Sequence, residues 1–160
     1  MRSLVLAIAL VALPAWAETD AELIARAHAI HDRVLTIDTH VDIPPSFGSD
    51  AYDLMKPARG QQVHLPTMIE GGLDATFLIV FVGQGERGTW GYAKALSDAF
   101  VKFAAIHKVA DVTYHDKIEL AYSAADVRRI YAAGKKVALI GVENGYPIGK
   151  DVRLLDQFYD

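Results

Sequence analysis

Three short apolar segments alternate with amphipathic segments along the chain, and this alternation predicts an α/β fold. The apolar segments cover residues 34–41, 75–82 and 136–143 and are rich in β-branched residues. In the second segment, ATFLIVFV, the apolar residues are continuous rather than alternating. That pattern is typical of a strand covered on both faces of a parallel sheet. We therefore expect three buried parallel strands with helices between them.

The first predicted helix covers residues 19–33. It opens with Thr19 and Glu22, which have the spacing of a capping box, in which each residue's side chain binds the other's backbone N–H. Three apolar residues of this segment fall on one helical face. These residues are Leu23, Ala27 and Ile30.

Three further helices are predicted from the same kind of pattern. Residues 91–109 carry apolar side chains at helical spacing, and residues 123–134 begin with a serine cap and end at a glycine. Residues 151–160 begin another helix that has neither a terminal glycine nor a basic last turn. We interpret this last feature as an interrupted chain.

The beginning of the chain has the order of regions found in an export signal. Arg2 supplies a positive charge, residues 4–13 form a short apolar core, and residues 15–17 form a small-x-small cleavage motif. The core is too short to cross a bilayer comfortably, and the alternative is a buried N-terminal helix. We expect a signal peptide over residues 1–17, cleavage after Ala17, and one exported domain (periplasmic or secreted) over residues 18–160.

Composition limits the kinds of site that the chain can build. It contains no cysteine, which excludes disulfides and thiolate metal ligands, so any metal site must use His, Asp and Glu. The net charge is −4 and the isoelectric point is about 5.8. Because binding to phosphate backbones needs clustered Lys and Arg, we expect no nucleic-acid partner.

A histidine and an aspartate stand two residues apart at the end of the first predicted strand, in TIDTHVDIPP. They are His40 and Asp42. Side chains two residues apart on a strand point to the same side, and active sites of parallel α/β folds lie at the carboxyl ends of the strands. An imidazole and a carboxylate are suitable ligands for Zn²⁺. The alternative is a hydrogen bond between His40 and Asp42 with no metal bound.

A third ionisable residue, Glu143, ends the third predicted strand. A carboxylate that ends an apolar strand must be paired, solvated or bound to a cation. Glu143 could face His40 and Asp42 across the mouth of a barrel. Asp38 lies one step behind His40 and either orients it from the second shell or caps a turn.

The segments IDTHVDIP, QVHLPTMIEGGLDATFLIVFV and SAADVRRIYAAGKKVALIGVENG resemble the N-terminal portion of the membrane (renal) dipeptidases. These are zinc metallopeptidases with an amidohydrolase-like (β/α)₈ TIM barrel. The resemblance runs from about Arg33 to the last residue. It implies an α/β fold in which this chain supplies roughly the first half of the barrel.

The resemblance also implies a function and a role for each site residue. His40 and Asp42 would bind the first zinc ion, and Glu143 would bridge two zinc ions in the complete site. A water or hydroxide held between the metals attacks the peptide carbonyl of a dipeptide in this family. The expected cofactor is thus Zn²⁺, the expected partner is a small dipeptide, and a homodimer is compatible with the sequence.

The sequence departs from the family pattern at several points. His64 stands where many members carry Asp, and Tyr146 stands where some carry His, but neither position is a metal ligand in the family. The remaining family ligands, a substrate-binding histidine and a catalytic aspartate come from strands beyond this chain.

Removing residues 1–17 from 160 leaves 143, against about 250 for a complete barrel. We therefore predict a truncated dipeptidase. The alternatives are a metallohydrolase acting on another amide or a lactone, an inactive remnant, and a non-catalytic exported binding protein.

The other candidate groups are expected to have no ligand role. His28 and His31 are three residues apart on the first helix, and His107 and His115 are isolated. The loop GQGERG, residues 83–88, lacks the spacing of phosphate-binding loops. We predict an ordinary flexible loop there, with lining of the substrate cleft as the alternative.

Overall fold

The computed structural model describes residues 18–56 and 63–159, so the predicted signal peptide lies outside the described residues. Five α-helices and four β-strands alternate along these residues, and none of these helices is long and apolar enough to cross a membrane. A π-helical segment follows α3, and a 3₁₀ turn follows β4. The elements are α1 (Asp20–His31), β1 (Ile37–Asp42), α2 (Leu65–Glu70), β2 (Ala75–Phe81), α3 (Thr89–His107), the π-helix (Lys108–Thr113), β3 (Ile118–Leu120), α4 (Ala124–Ala132), β4 (Lys136–Glu143), the 3₁₀ turn (Tyr146–Ile148) and α5 (Leu154–Tyr159).

The four strands form one parallel sheet in the order β1-β2-β4-β3. The three predicted strands are therefore neighbours, and β2 lies between the two strands that carry the candidate metal ligands. The pairing of β2 with β4 is regular from Ala75↔Val137 to Phe81↔Glu143. The additional strand, β3, is only three residues long and pairs with the beginning of β4. The predicted parallel α/β architecture is confirmed.

Two helices, α3 and α4, pack against apolar side chains of the sheet. The larger core cluster joins Leu78 and Val80 of β2 to Ala95, Ala99 and Ile106 of α3, and all five side chains are buried. The amphipathic pattern that predicts α3 therefore corresponds to the face that it buries. A smaller cluster involves α4 and the beginning of the sheet and contains Ala75, Ala121, Ile130 and Val137.

The beginnings of β1, β2 and β4 are joined by a partly buried polar cluster centred on Asp74. One oxygen of its carboxylate accepts hydrogen bonds from the backbone N–H and the hydroxyl of Thr36, at 3.1 and 3.2 Å. The other oxygen accepts a hydrogen bond from Lys136 Nζ at 3.1 Å. The side chains of Lys136 and Asp74 are only 15% and 17% exposed. This cluster fixes the alignment of the strands at the end opposite to the candidate metal ligands.

The first helix and strand form where predicted, but they are not buried. Thr19 and Glu22 make both hydrogen bonds of a capping box, yet no residue of α1 is buried. The predicted buried strand over 34–41 begins at Ile37, and within it only Val41 is buried. The physical reason is that β1 lies at the edge of the sheet and pairs with β2 alone. The prediction of a buried first strand is therefore wrong for the described residues.

Candidate metal centre

The carboxyl ends of β1 and β4 bring together His40, Asp42 and Glu143. His40 Nε2 lies 3.2 Å from Glu143 Oε2 and 3.7 Å from Asp42 Oδ1. One ligand atom from each of the three residues lies within 4.8 Å of the others, and the described part of the chain contains no other such group of three. We call these three side chains the candidate metal centre.

The side chains meet across β2, which separates the two strands that carry them. Neighbouring strands are about 4.8 Å apart, so β1 and β4 are separated by about 10 Å. Asp42, Ile79 and Gly141 lie in register across the three strands. Ile79 is 4% exposed, and its Cδ1 atom lies only 2.7 Å from the position that a Cβ atom would occupy on Gly141. A side chain at Gly141 would therefore require the end of the buried Ile79 side chain, which is in register with Asp42, to shift.

Replacing Gly141 by alanine is expected to lower the free energy of unfolding by about 1 kcal/mol, because the added methyl group forces the end of the buried Ile79 side chain to shift. It is also expected to weaken metal binding, since the Ile79 side chain that must shift is in register with Asp42. Chemical denaturation and zinc titration measure the two effects. Gly83→Ala is the matched control, because an added Cβ there meets nothing within 4 Å. Equal behaviour of the two variants would contradict this account of Gly141.

A bulge in β1 shapes the segment that carries His40. The register with β2 shifts between Asp38 and Val41, so that β1 contains one residue more than its partner over this interval. Asp38 Oδ1 accepts a hydrogen bond from the backbone N–H of His40 at 2.9 Å. Asp38 therefore contacts His40 through the main chain, and the structure gives no contact between Asp38 and the imidazole ring.

Lys102 of α3 lies behind the same strand end, where the sequence alone gives no indication of it. Its Nζ donates a hydrogen bond to the carbonyl oxygen of Ile43 at 2.8 Å, directly after Asp42. Burial lowers the pKa of Lys102, and the negative charge of Asp42 opposes that change. Lys102 thus connects the main helix of the core to the segment that carries two of the three candidate ligands.

The remaining histidines lie outside the candidate metal centre. His107 Nδ1 lies 2.8 Å from Asp111 Oδ2, and His115 Nδ1 lies 3.1 Å from the carbonyl oxygen of Val112. His64 is buried, its ring is stacked on Tyr52, and burial lowers its pKa. The two histidines of α1 are exposed at the end of that helix; they are His28 and His31.

The two separations from His40 in the candidate metal centre are suitable for a zinc ion. Zinc bonds to nitrogen and oxygen are about 2.0–2.2 Å long, so two ligand atoms at tetrahedral angles are separated by about 3.3–3.6 Å. The measured separations from His40 Nε2, 3.2 and 3.7 Å, are close to that interval. The side chains of His40, Asp42 and Glu143 are 53%, 64% and 44% exposed, so the site is open to solvent. A direct interaction of His40 with the two carboxylates is the alternative arrangement without a metal.

The chain matches a protein family over most of its length. The family model of the membrane dipeptidases, peptidase family M19, matches residues 24–160. A curated relative, dipeptidase tcpJ from Claviceps purpurea (strain 20.1), is 27% identical over 101 residues. That alignment covers 61% of this chain and 24% of the relative.

Two solved structures have the same fold. The probable dipeptidase PvdM from Pseudomonas aeruginosa is 24% identical with a TM-score of 0.77, and the alignment covers 88% of this chain and 36% of that one. The dipeptidase AC, a metallopeptidase of family M19, is 20% identical with a TM-score of 0.63, at 79% and 40% coverage. These structures are dipeptidases of the TIM-barrel type, and this chain spans well under half the length of either.

Proposed function

The chain belongs to the membrane dipeptidase family (peptidase family M19), and on this basis we propose that it takes part in the zinc-dependent hydrolysis of dipeptides. The observation that carries the proposal is the convergence of one imidazole and two carboxylates within 4.8 Å at the carboxyl ends of β1 and β4. This end of a parallel α/β sheet is where active sites of such folds lie.

In this proposal, His40, Asp42 and Glu143 hold the metal. A bound zinc ion polarises a carbonyl oxygen and lowers the pKa of a bound water. The two carboxylates would offset the charge of the ion, and the imidazole would supply a nitrogen ligand. Asp38 holds the main chain of His40 in place through the bond described above, which limits the motion of this ligand.

The proposal extends to a centre with two zinc ions in the complete protein. Glu143 has two carboxylate oxygens and so can bind two ions at once. The described residues contain one group of three potential ligands, and the chain covers 36% and 40% of the two solved dipeptidase chains. We infer that the other ligands of the second ion come from the part of the family sequence that this chain does not cover.

An assay with a panel of dipeptides tests the proposed function, using the chain alone and a form extended to the length of its relatives. We expect hydrolysis that is abolished by a chelator and restored by zinc in the extended form, and much weaker activity in the chain alone. β-Lactams and lactones belong in the same panel, because they test the alternative of another metallohydrolase. Hydrolysis of dipeptides that persists at full rate after chelation would contradict the proposal.

A further inference from the structure

The loop after β2, residues 83–88, is bound to the segment that follows Glu143. Asn144 Nδ2 donates a hydrogen bond to the carbonyl oxygen of Val82 at 3.1 Å. The hydroxyl of Tyr146 donates a hydrogen bond to the carbonyl oxygen of Glu86 at 2.6 Å. These two bonds, which we call the β2–β4 loop contact, join the middle of the loop and the residue before it to the segment that follows β4.

The backbone of Asn144 supports this contact. Asn144 has a φ of 65°, a left-handed conformation that asparagine tolerates better than most residues. In this conformation its Oδ1 accepts a hydrogen bond from the backbone N–H of Tyr146 at 2.9 Å. The Asn144 side chain thus contacts both Val82 and the backbone of Tyr146. These contacts hold the beginning of the 3₁₀ turn in place.

Close packing around the tyrosine leaves room for no larger residue at Gly91. A Cβ atom there would lie 2.0 Å from the carbonyl oxygen of Glu86 and 2.8 Å from the hydroxyl of Tyr146. The ring of Tyr146 also packs against Tyr92, with 5.4 Å between ring centroids. The loop, the first turn of α3 and the segment after β4 therefore form one packed unit.

This unit lies beside the candidate metal centre. Phe81, the last residue of β2, is in register with Glu143, and the loop begins two residues later. Three polar side chains on the loop are exposed, namely Gln84, Glu86 and Arg87. Glu86 and Arg87 carry opposite charges, as do the two ends of a zwitterionic dipeptide.

We propose that Tyr146 is a positioning residue that holds residues 83–88 as a preformed wall of the dipeptide cleft. The inference rests on the proposed dipeptidase function and adds a specificity element to it. It takes up the alternative that this loop lines the substrate cleft, because two carbonyl oxygens of the segment from Val82 to Gly88 are bound by side chains that follow β4.

Limited proteolysis tests the contact without the need for substrate. Arg87 lies within the loop and is exposed, so trypsin cleavage after it reports how often the loop opens. Tyr146→Phe removes one hydrogen bond and is expected to increase the cleavage rate about three- to tenfold. Gly91→Ala places a methyl group against the carbonyl oxygen of Glu86 and is also expected to increase the cleavage rate. Tyr131→Phe on α4 is the control and is expected to be cleaved at the rate of the unaltered protein.

Steady-state kinetics of the extended form tests the role of the wall. Tyr146→Phe is expected to raise KM for dipeptides about three- to tenfold with less than a twofold change in kcat, and to leave the zinc content unchanged. Cleavage of Tyr146→Phe and Gly91→Ala at the unaltered rate would overturn the inference. Faster cleavage with an unchanged KM would contradict the inference that residues 83–88 form a wall of the dipeptide cleft, while leaving the proposed dipeptidase function intact. A complete lack of hydrolysis by the unaltered extended protein would instead overturn the proposed function.

Discussion

Replacing Glu143 by glutamine is expected to reduce zinc affinity at least ~100-fold and dipeptide hydrolysis by a larger factor. The substitution keeps the size of the side chain but removes the anionic oxygen that lies 3.2 Å from His40 Nε2. Loss of groups that only support a ligand already weakens metal binding by about 10–100-fold, so removal of a ligand has a greater effect. Zinc titration and the dipeptide assay measure the two quantities.

Thermal unfolding with and without zinc separates a metal ligand from a structural ion pair. A ligand present at 100 times its Kd stabilises the folded state by about 2.7 kcal/mol, and this gain should disappear in Glu143→Gln. Without metal, the variant is expected to be as stable as the unaltered protein. The substitution removes the charge of Glu143, and with it the repulsion between this carboxylate and that of Asp42. A metal-free variant that is clearly less stable would instead favour a His40–Glu143 ion pair. Glu70→Gln at the exposed end of α2 is the control and should change none of these values.

Replacing Asp74 by alanine is expected to lower the free energy of unfolding by about 2–4 kcal/mol. The carboxylate accepts hydrogen bonds from Thr36 and Lys136, and both ionic side chains are more than four-fifths buried. Its removal leaves a largely buried ammonium group and a backbone N–H without their acceptor. Because the cluster aligns β1, β2 and β4, zinc affinity should fall as well.

Chemical denaturation measures this effect, and Asp98→Ala is the matched control. Asp98 forms an exposed ion pair with Lys94 on one face of α3, and the loss of such pairs costs about 0.5 kcal/mol or less. A change of that small size in Asp74→Ala would show that the polar cluster does not determine the alignment of the strands.

The architecture could be predicted because its signals are local. The apolar run over 136–143 coincides with β4, and the capping-box pair Thr19 and Glu22 marks the beginning of α1. The proximity of His40, Asp42 and Glu143 also followed from the sequence, because parallel strands place their carboxyl ends at one edge of a sheet. The structure brings these side chains together, and their role as metal ligands stays a prediction.

The contacts that surround the candidate metal centre could not be predicted, because they join residues far apart in the chain. Lys102 reaches Ile43 over 59 positions, and Tyr146 reaches Glu86 over 60. The bulge beside His40 depends on pairing with β2, which a single strand does not specify. Short elements such as β3 and α2, of three and six residues, are too short for a periodic pattern to be recognised.

The prediction that the first strand is buried was wrong for a different reason. A run such as VLTIDTHV predicts a strand, but it does not say which strand lies at the edge of the sheet. In the described residues β1 has one neighbour, and its residue Ile37 is 45% exposed. Apolar patterning thus predicts the type of element more reliably than it predicts how many neighbouring elements cover it.

Zinc anomalous scattering from crystals of the protein grown with zinc tests the central claim most directly. The account predicts a peak about 2.0–2.2 Å from His40 Nε2 and from one carboxylate oxygen each of Asp42 and Glu143. Crystals of Glu143→Gln grown in the same way should lose that peak. Zinc bound elsewhere on the unaltered protein, with no peak between these three side chains, would contradict the account.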